Sequence, residues 1–345
     1  MAVTLKDVAK EAGVSIATVS KVLRGKQGKI AISEATRRRV LEAAKRLNYH
    51  PNIAARRLAS RRSNTVGIVI EAYDSFGGPV NAQILRGIGS ELDKARLDAL
   101  LISRESARDI VSSLKAMVAG KKVDALILWV QEIDAALCEE LQKIGAPHCH
   151  VGFRGSSNCA TVLSDNFNGA YHATRHLIQQ GHEDIAIIAP ERYAEAVERL
   201  HGYRKALEDN GIPFNPEMVV RGEYTSSGDV SALDVEHFRR ILPKCSAVFA
   251  TSDLLAMLVK EVARADGYRL GEDKALVGFD GTEVGRHLDP PLTSVAQDGF
   301  EMGRQAVASI LAQLDGDQSP AQEVVVPTRL VVRKSSLVAP DLGRR

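Results

Sequence analysis

The chain has 345 residues, and its 45 Lys and Arg residues nearly balance its 43 Asp and Glu residues, so the net charge is +2. No apolar run reaches the roughly 18 residues that a membrane helix needs, and the first residues lack the pattern of a secretory signal, so we expect no membrane partner. Residues 1–62 hold 15 basic and 4 acidic side chains and the remainder holds 30 and 39, so a basic head precedes an acidic body.

The head begins with two short helices joined by a glycine turn. Within residues 5–23, two apolar helical faces are separated by Gly13. Thr4 and Asp7 have the spacing of a capping box, and Ser15 can cap the second helix. The outer face of that helix carries small or basic side chains, namely Ile16, Ala17, Ser20 and Lys21. This pattern predicts a helix-turn-helix that reads the DNA major groove. The alternative is an ordinary helical hairpin, but the basic charge of the head favours DNA.

A third helix and a short hinge complete the head. Residues 33–47 are predicted to be helical, with Ser33 as the cap. Their apolar stripe would close a three-helix core and consists of Val40, Leu41, Ala44 and Leu47. Pro51 then starts a helix of about two turns, which is too short to be stable alone. Leu58 lies among four Arg residues there, and it either packs between two hinges or forms a wedge in the DNA minor groove.

From residue 63 onward, apolar strands alternate with amphipathic helices. Strands are predicted over residues 65–71, 97–103, 123–130, 147–153, 184–189, 247–251 and 275–280. Helices are predicted over residues 81–95, 108–119, 132–144, 167–180, 195–210, 253–266 and 299–314. This alternation is typical of doubly wound parallel sheets, in which ligands bind outside the carboxyl ends of the strands. The predicted fold class is therefore α/β with a small all-α head.

Three head segments and two later motifs together resemble the LacI/GalR family of bacterial transcription regulators. The head segments are residues 3–23, the Asn-Tyr-His-Pro-Asn run at 48–52 and the Ala-Arg-Arg-Leu-Ala run at 55–59. The later motifs are Gly278-Phe279-Asp280 and the segment around Arg199. This resemblance covers nearly the whole chain. It implies a hinge helix and a periplasmic-binding-protein-like core of two doubly wound parallel-sheet subdomains, with a ligand cleft between them.

The resemblance also implies the domain boundaries. Residues 1–50 would form the helix-turn-helix domain, residues 51–62 the hinge helix and linker, and residues 63–345 the effector-binding and dimerisation core. The N-subdomain would comprise about 63–163 plus 293–325, and the C-subdomain about 164–292 plus 326–338. The chain would thus cross between subdomains near residues 163, 292 and 326.

DNA contacts are predicted on the second helix, its flanks and the hinge. Lys21 can donate to guanine, Ile16 or Ala17 can contact a thymine methyl group, and paired Leu58 side chains can open a flexible base step. The predicted DNA-binding residues are Thr4, Leu5, Ser15, Ile16, Ala17, Thr18, Ser20, Lys21, Tyr49, Asn52, Ile53, Arg56, Arg57, Leu58 and Ala59.

Effector contacts are implied mainly by the resemblance. Asp280 ends an apolar strand, where its carboxylate could accept ligand hydroxyls or cap the following loop. Arg199 suits vicinal hydroxyls, a carboxylate or a phosphate, or else lies on a surface helix. We expect Asp253 to cap a helix. The predicted effector-binding residues are Asp74, Phe76, Arg154, Arg199, Tyr224, Ser252, Asp280 and Gln297.

One departure from the family bears on the ligand. Gly152 stands where many sugar-binding relatives carry Asp, and Arg154 follows it closely. A further Arg near the cleft would suit an anionic ligand, so the identity of the effector does not carry over.

The cysteines and histidines give only a weak metal signal. His148 and His150 would face the same side of a strand while Cys149 points away. No second ligand cluster lies at a zinc spacing, and the four cysteines fit reduced thiols. We therefore expect no metal, no cofactor and no disulfide.

These observations predict a cytoplasmic bacterial transcription regulator that is associated with the nucleoid when bound to DNA. It would be a homodimeric repressor that binds a palindromic operator in double-stranded DNA, with its affinity controlled by a small metabolite such as a sugar or sugar derivative. The alternative is a solute-binding protein without a transcriptional role. An enzyme is not expected, because the chain lacks a dinucleotide-binding GxGxxG motif after a strand, a P-loop and a nucleophile elbow.

Overall fold

The computed structural model describes residues 3–23, 32–49, 62–70, 78–103, 110–130, 135–153, 159–190, 193–223, 233–317 and 322–338. The chain divides into two compact units, Met1–Ser63 and Asn64–Arg345, which are called the head and the core below. The predicted hinge helix lies outside the described residues. Within the described ranges, no helix combines the length and apolar composition needed to cross a membrane.

The described part of the head contains three helices, α1 (Leu5–Ala12), α2 (Ile16–Leu23) and α3 (Glu34–Arg46). The predicted caps are confirmed: the Thr4 backbone N–H donates to the Asp7 carboxylate (2.8 Å), and the Thr18 N–H donates to Ser15 Oγ (3.1 Å). Gly13 ends α1 in the left-handed region, at φ +64°. These local bonds fix the turn between the first two helices.

The apolar faces of the three helices meet in one small core. Its buried members are Val8, Ala9, Ala12, Val19, Val22, Val40, Ala43 and Ala44. The prediction that Leu41 belongs to this core is wrong, because Leu41 is 48% exposed and Ala43 takes an inner position instead. Residues advance by 100° around a helix, so the position next to Val40 turns away from the core. The Arg39 guanidinium donates to the Ala12 carbonyl (2.9 Å), which ties α3 to the end of α1.

The core alternates strands and helices. The described strands are β1 (Thr65–Ile70), β2 (Asp98–Ser103), β3 (Ala125–Trp129), β4 (His148–Val151), β5 (Ala160–Ser164), β6 (Ile185–Ala189), β7 (Val219–Arg221), β8 (Ala247–Ala250), β9 (Ala275–Asp280), β10 (Thr293–Ala296), β11 (Glu323–Val326) and β12 (Arg329–Val331). The described helices are α4 (Pro79–Ala95), α5 (Ile110–Ala119), α6 (Ala135–Lys143), α7 (Asn166–Gln179), α8 (Ala194–Asp209), α9 (Val235–Ile241), α10 (Asp253–Ala265), α11 (Glu283–Arg286) and α12 (Gly299–Leu314).

The strands form two six-stranded sheets, in the orders β11-β5-β4-β3-β1-β2 and β12-β10-β9-β8-β6-β7. All the paired strands are parallel except β12, which runs antiparallel to β10. The inner strands β1, β3, β6 and β8 are buried along their whole length, because helices cover both faces of each sheet. The predicted doubly wound α/β architecture is thus confirmed.

Three connections join the sheet of the N-subdomain to the sheet of the C-subdomain. They run from β5 to α7, from β10 to α12 and from β11 to β12. The second connection follows Ala296 rather than residue 292, because β10 pairs with β9 in the second sheet. The sequence pattern missed five strands, β5, β7, β10, β11 and β12. Three of these five lie at sheet edges, where mixed polar and apolar side chains are tolerated.

Candidate functional site

The outer face of α2 is the first candidate site. Val19 and Val22 point into the head core, whereas Ile16 is 48% exposed and Ala17 is also exposed. Ser20 and Lys21 are half-buried. The first turn of a recognition helix is the part that contacts base edges, and here it presents small and apolar side chains.

Several other predicted DNA contacts have a role inside the head as well. The Thr4 hydroxyl donates to the Asp7 carboxylate (2.7 Å), and the hydroxyls of Ser15 and Thr18 are 2.9 Å apart. Leu5 and Tyr49 are partly buried against the head core. Substituting any of these residues would therefore disturb the helix-turn-helix itself.

A cationic groove lies at the N-terminal end of α2, and sequence reasoning missed its basic side chains. Its walls include Lys6, Asp7 and Lys10 of α1, the capping residue Ser15, and Ile16 at the start of α2. Backbone N–H groups at a helix N-terminus and nearby lysines both attract anions. Assigning the positive charge of the head to individual side chains of α1 could have indicated these two lysines as possible DNA contacts.

The predicted hinge contacts lie outside the described residues, and they are Asn52, Ile53, Arg56, Arg57, Leu58 and Ala59. The same holds for four predicted effector contacts, Asp74, Phe76, Arg154 and Tyr224. The other four effector contacts are described, and the structure brings them together at the carboxyl ends of the C-subdomain strands.

Arg199 is the centre of this cluster. It is only 5% exposed, and its guanidinium carbon lies 3.7 Å from the centroid of the Phe279 ring. Its Nε–H donates to Asn166 Oδ1 (2.9 Å), and a terminal N–H donates to the Thr251 carbonyl. The alternative of a surface helix Arg is therefore wrong. Stacking and hydrogen bonds hold the cation in one orientation.

Asp280 lies beside this cation at the end of β9. Its Oδ1 accepts from Gln297 Nε2 (2.8 Å), which links the strand to the second crossover. Burial raises the pKa of the Asp280 carboxyl to about 7, although Arg199 opposes the shift. The backbone of Asp280 has φ +114°, a conformation that costs a non-glycine residue about 1–3 kcal/mol and is concentrated at functional sites.

Ser252, predicted as an effector contact, occupies the capping position that was expected for Asp253. Ser252 Oγ caps α10 by accepting from the Leu255 N–H (3.1 Å). Asp253 accepts instead from the Thr282 N–H (2.7 Å) and from Ser294 Oγ (2.5 Å), so it braces the loop after Asp280. Burial raises the pKa of Asp253. The expectation that Asp253 caps the helix is wrong, because the residue before it is already in the capping position.

Two further residues of this cluster were missed from the sequence. Asn166 bridges the Ser164 carbonyl (3.1 Å) and Arg199. Glu195 lies one helical turn before Arg199, and its Oε2 is buried with no hydrogen-bond partner among the described residues. Burial raises the pKa of Glu195. The i, i+4 spacing to Arg199 is the signal that could have indicated it.

The cysteine and histidine predictions need a correction. Cys138 and Cys159 are bonded to each other in the structure, which contradicts the expectation of four reduced thiols. His148 and His150 do share one side of β4 as predicted, and they contact this cysteine pair. A second cluster of ligand atoms thus exists, formed by residues that are distant in the sequence.

The head and the core each match a known family of protein domains. Residues 4–52 match the model for bacterial regulatory proteins of the lacI family, and residues 174–336 match a periplasmic binding protein-like domain. The chain is 36% identical over 341 residues to the HTH-type transcriptional regulator CelR of Thermobifida fusca, an alignment that covers 96% of this chain and 98% of CelR.

Two solved structures are similar over nearly the whole chain. The lac repressor dimer bound to operator and the anti-inducer ONPF has a TM-score of 0.82 at 27% identity, with coverage of 98% of this chain and 100% of that one. A CelR–cellobiose complex has a TM-score of 0.71 at 34% identity, with coverage of 96% and 99%. The chain belongs to the lacI family of bacterial regulatory proteins.

Proposed function

We propose that this protein is a transcriptional repressor whose affinity for its operator is controlled by a small metabolite bound in the core. The observation that carries this proposal is the presence of two sites on one chain. The head exposes the first turn of α2 beside a cationic groove, and the core gathers Arg199, Asp280 and Gln297 at the strand ends. A solute-binding protein would need the second site alone.

On DNA, two copies bind a palindromic operator with one α2 in each major groove. Ile16 and Ala17 contact thymine methyl groups, and Lys21 donates to guanine. Residues 51–62 form the hinge, and paired Leu58 side chains open the central minor groove. This DNA-bound role places the protein in the bacterial cytoplasm, on the nucleoid.

In the core, the ligand is a hydroxyl-rich molecule such as a sugar or sugar derivative. The Asp280 carboxyl group accepts its hydroxyls, the Gln297 amide lies beside that carboxyl at the crossover, and Arg199 holds the site in shape. The buried, unpartnered Glu195 Oε2 offers another acceptor. The relatives support this class, since a CelR structure contains cellobiose. The proposed activity is binding, with no catalytic step.

Control of the operator arises from the difference in effector affinity between two core conformations. Gln297 and Asp298 lie on the crossover between the subdomains, and Gln297 donates a hydrogen bond to Asp280. A ligand held by Asp280 therefore alters the position of the crossover that leads into α12. The N-subdomain comprises about 63–163 together with α12 and β11. The C-subdomain comprises about 164–296 together with β12. Their relative movement orders or releases the hinge.

The test measures binding of the purified chain to the DNA that lies upstream of its own gene. Fluorescence anisotropy of the labelled DNA gives the affinity at a series of salt concentrations. Affinity should fall steeply with salt, because lysines and arginines displace counterions from phosphates. Cellobiose, other sugars and sugar phosphates are then added to find the one that changes the affinity. Absent or salt-insensitive DNA binding would remove the repressor proposal.

A matched pair of variants tests the assignment of α2. Ile16 and Leu41 are equally exposed, at 48% each, but lie on different helices of the head. Ile16→Ala should change the half-site that is selected from random DNA, whereas Leu41→Ala should leave the selection unchanged. The same selected sequence for both variants would show that Ile16 does not read bases.

A further inference from the structure

Four chemically reactive side chains meet on one side of the N-subdomain sheet, away from the effector cluster. Cys138 comes from α6, His148 and His150 from β4, and Cys159 from the residue before β5. All four are buried, with at most 5% of any of them exposed. Cys149 points to the opposite side of the sheet, into the cluster with α4 and α12. The set is therefore two sulfurs and two imidazoles within one apolar layer.

Three of the four ligand atoms lie close to one another, and His148 Nε2 lies next to one of the two sulfurs. Cys138 Sγ lies 3.4 Å from His150 Nε2, and Cys159 Sγ lies 3.3 Å from His148 Nε2. The ligand atoms of Cys138, His150 and Cys159 all lie within 4.8 Å of one another. In a tetrahedral zinc site, bonds of about 2.3 Å to sulfur and about 2.0 Å to nitrogen place a sulfur and a nitrogen roughly 3.5 Å apart.

The ring of His148 is oriented as the ring of a metal ligand would be. His148 Nδ1 lies 2.7 Å from the Ala146 carbonyl oxygen, which can only accept a hydrogen bond. Nδ1 therefore carries the proton, and Nε2 directs its lone pair toward Cys159. Metal-binding histidines are typically held in this way, with the second ring nitrogen donating to a backbone carbonyl.

The structure joins the sulfurs of Cys138 and Cys159 in a disulfide, which is the oxidised form of the pair and makes no use of the two imidazoles. In the cytoplasm, where the proposed function places this protein, thiols are kept reduced. Two thiolates and two neutral imidazoles then make a complete ligand set for a divalent ion. The two negative charges cancel those of the ion, so the buried centre is neutral and its desolvation cost is limited.

We propose that Cys138, His148, His150 and Cys159 bind one Zn²⁺ ion in a closed, tetrahedral structural site. Binding releases the two thiol protons, and the sulfurs move apart to about 3.8 Å, the sulfur–sulfur edge of such a tetrahedron. The ion fastens α6 to β4 and to the start of β5. It leaves no open coordination position, so it stabilises the N-subdomain and performs no reaction.

The first experiment uses the full chain, purified under reducing conditions without chelator. Elemental analysis should find about one zinc per chain, and replacement by Co²⁺ should give the strong visible bands of a tetrahedral ion and a thiolate-to-cobalt charge-transfer band. A chelator should lower the unfolding temperature by several degrees, because the ion binds only the folded state. These measurements need no variant and do not depend on DNA or effector binding.

The variants then locate the site. Cys138→Ser with Cys159→Ser should abolish the cobalt bands and the effect of the chelator. Cys245→Ala removes a buried thiol from the core of the other sheet and should leave both unchanged.

Two outcomes would overturn the proposal. Thiol titration of the unfolded chain that finds only two reactive thiols and no metal would establish a disulfide. Four reactive thiols without metal or cobalt bands would leave a hydrogen-bonded thiol–imidazole cluster.

Discussion

Two glycines on the same helix should respond to alanine in opposite directions. Gly87 and Gly89 both lie within α4, where alanine is the better helix former. A Cβ atom built on Gly87 would overlap the Phe300 carbonyl and come within 3.1 Å of the Arg304 nitrogen, both in α12. A Cβ atom on Gly89 would meet nothing within 4 Å. The pair thus separates helix propensity from helix packing.

The magnitudes follow from these two effects. Gly89→Ala should gain about 1 kcal/mol in free energy of unfolding, the usual difference in helix propensity. Gly87→Ala gains the same amount but forces two backbones apart, and overpacking of this kind costs about 3 kcal/mol. The obstacle is a backbone carbonyl that cannot rotate away, so a net loss of about 2 kcal/mol remains. For domains of this size, 1 kcal/mol shifts the melting temperature by roughly 2 °C.

Differential scanning calorimetry of the full chain measures both variants against the unmodified protein. The core transition should fall by about 4 °C for Gly87→Ala and rise by about 2 °C for Gly89→Ala. Operator affinity of Gly89→Ala serves as a control for correct folding. If Gly87→Ala is as stable as the unmodified chain, the close approach of α4 and α12 is wrong.

Three further predictions concern the proposed sites. Burial raises the folded-state pKa of Asp280 to about 7 from an ordinary value of 3.8, so its contribution to stability is greatest below about pH 4 and is lost as the pH rises through 7. Asp280→Asn should therefore flatten the decline in melting temperature between pH 5 and pH 8, and an unchanged slope would contradict the assignment. Arg199→Lys should weaken effector binding by at least about tenfold, since hydrogen bonds to charged groups contribute roughly 1.5–3 kcal/mol; calorimetric titration checks this, and unchanged affinity would remove Arg199 from the site. Leu58→Ala should lower operator affinity about tenfold, the order expected for loss of a wedge between base steps, while gel-shift affinity for random DNA stays the same. An equal loss for both DNAs would refute the wedge.

Local patterns in the sequence determined most of the architecture. The capping box at Thr4, the glycine turn and the helical spacing of apolar residues fixed the three helices of the head, because such bonds join residues only three or four positions apart. Likewise, nearly continuous apolar strands such as β1 and β3 are recognisable because burial on both faces leaves few polar positions. The exposed first turn of α2 also followed directly from helical periodicity.

The tertiary structure alone decided which distant residues meet. The short strand β10 joins the second sheet by pairing with β9. The sequence of Thr293–Ala296 alone does not predict this pairing. Asn166 reaches Arg199 across 33 positions, and Asp253 reaches Ser294 across 41. Cys138 and Cys159 meet the His148–His150 pair only because α6 packs against the inner strands β4 and β5. Sequence periodicity specifies the face on which a side chain lies, whereas the partner on that face depends on how strands are ordered and how helices cross.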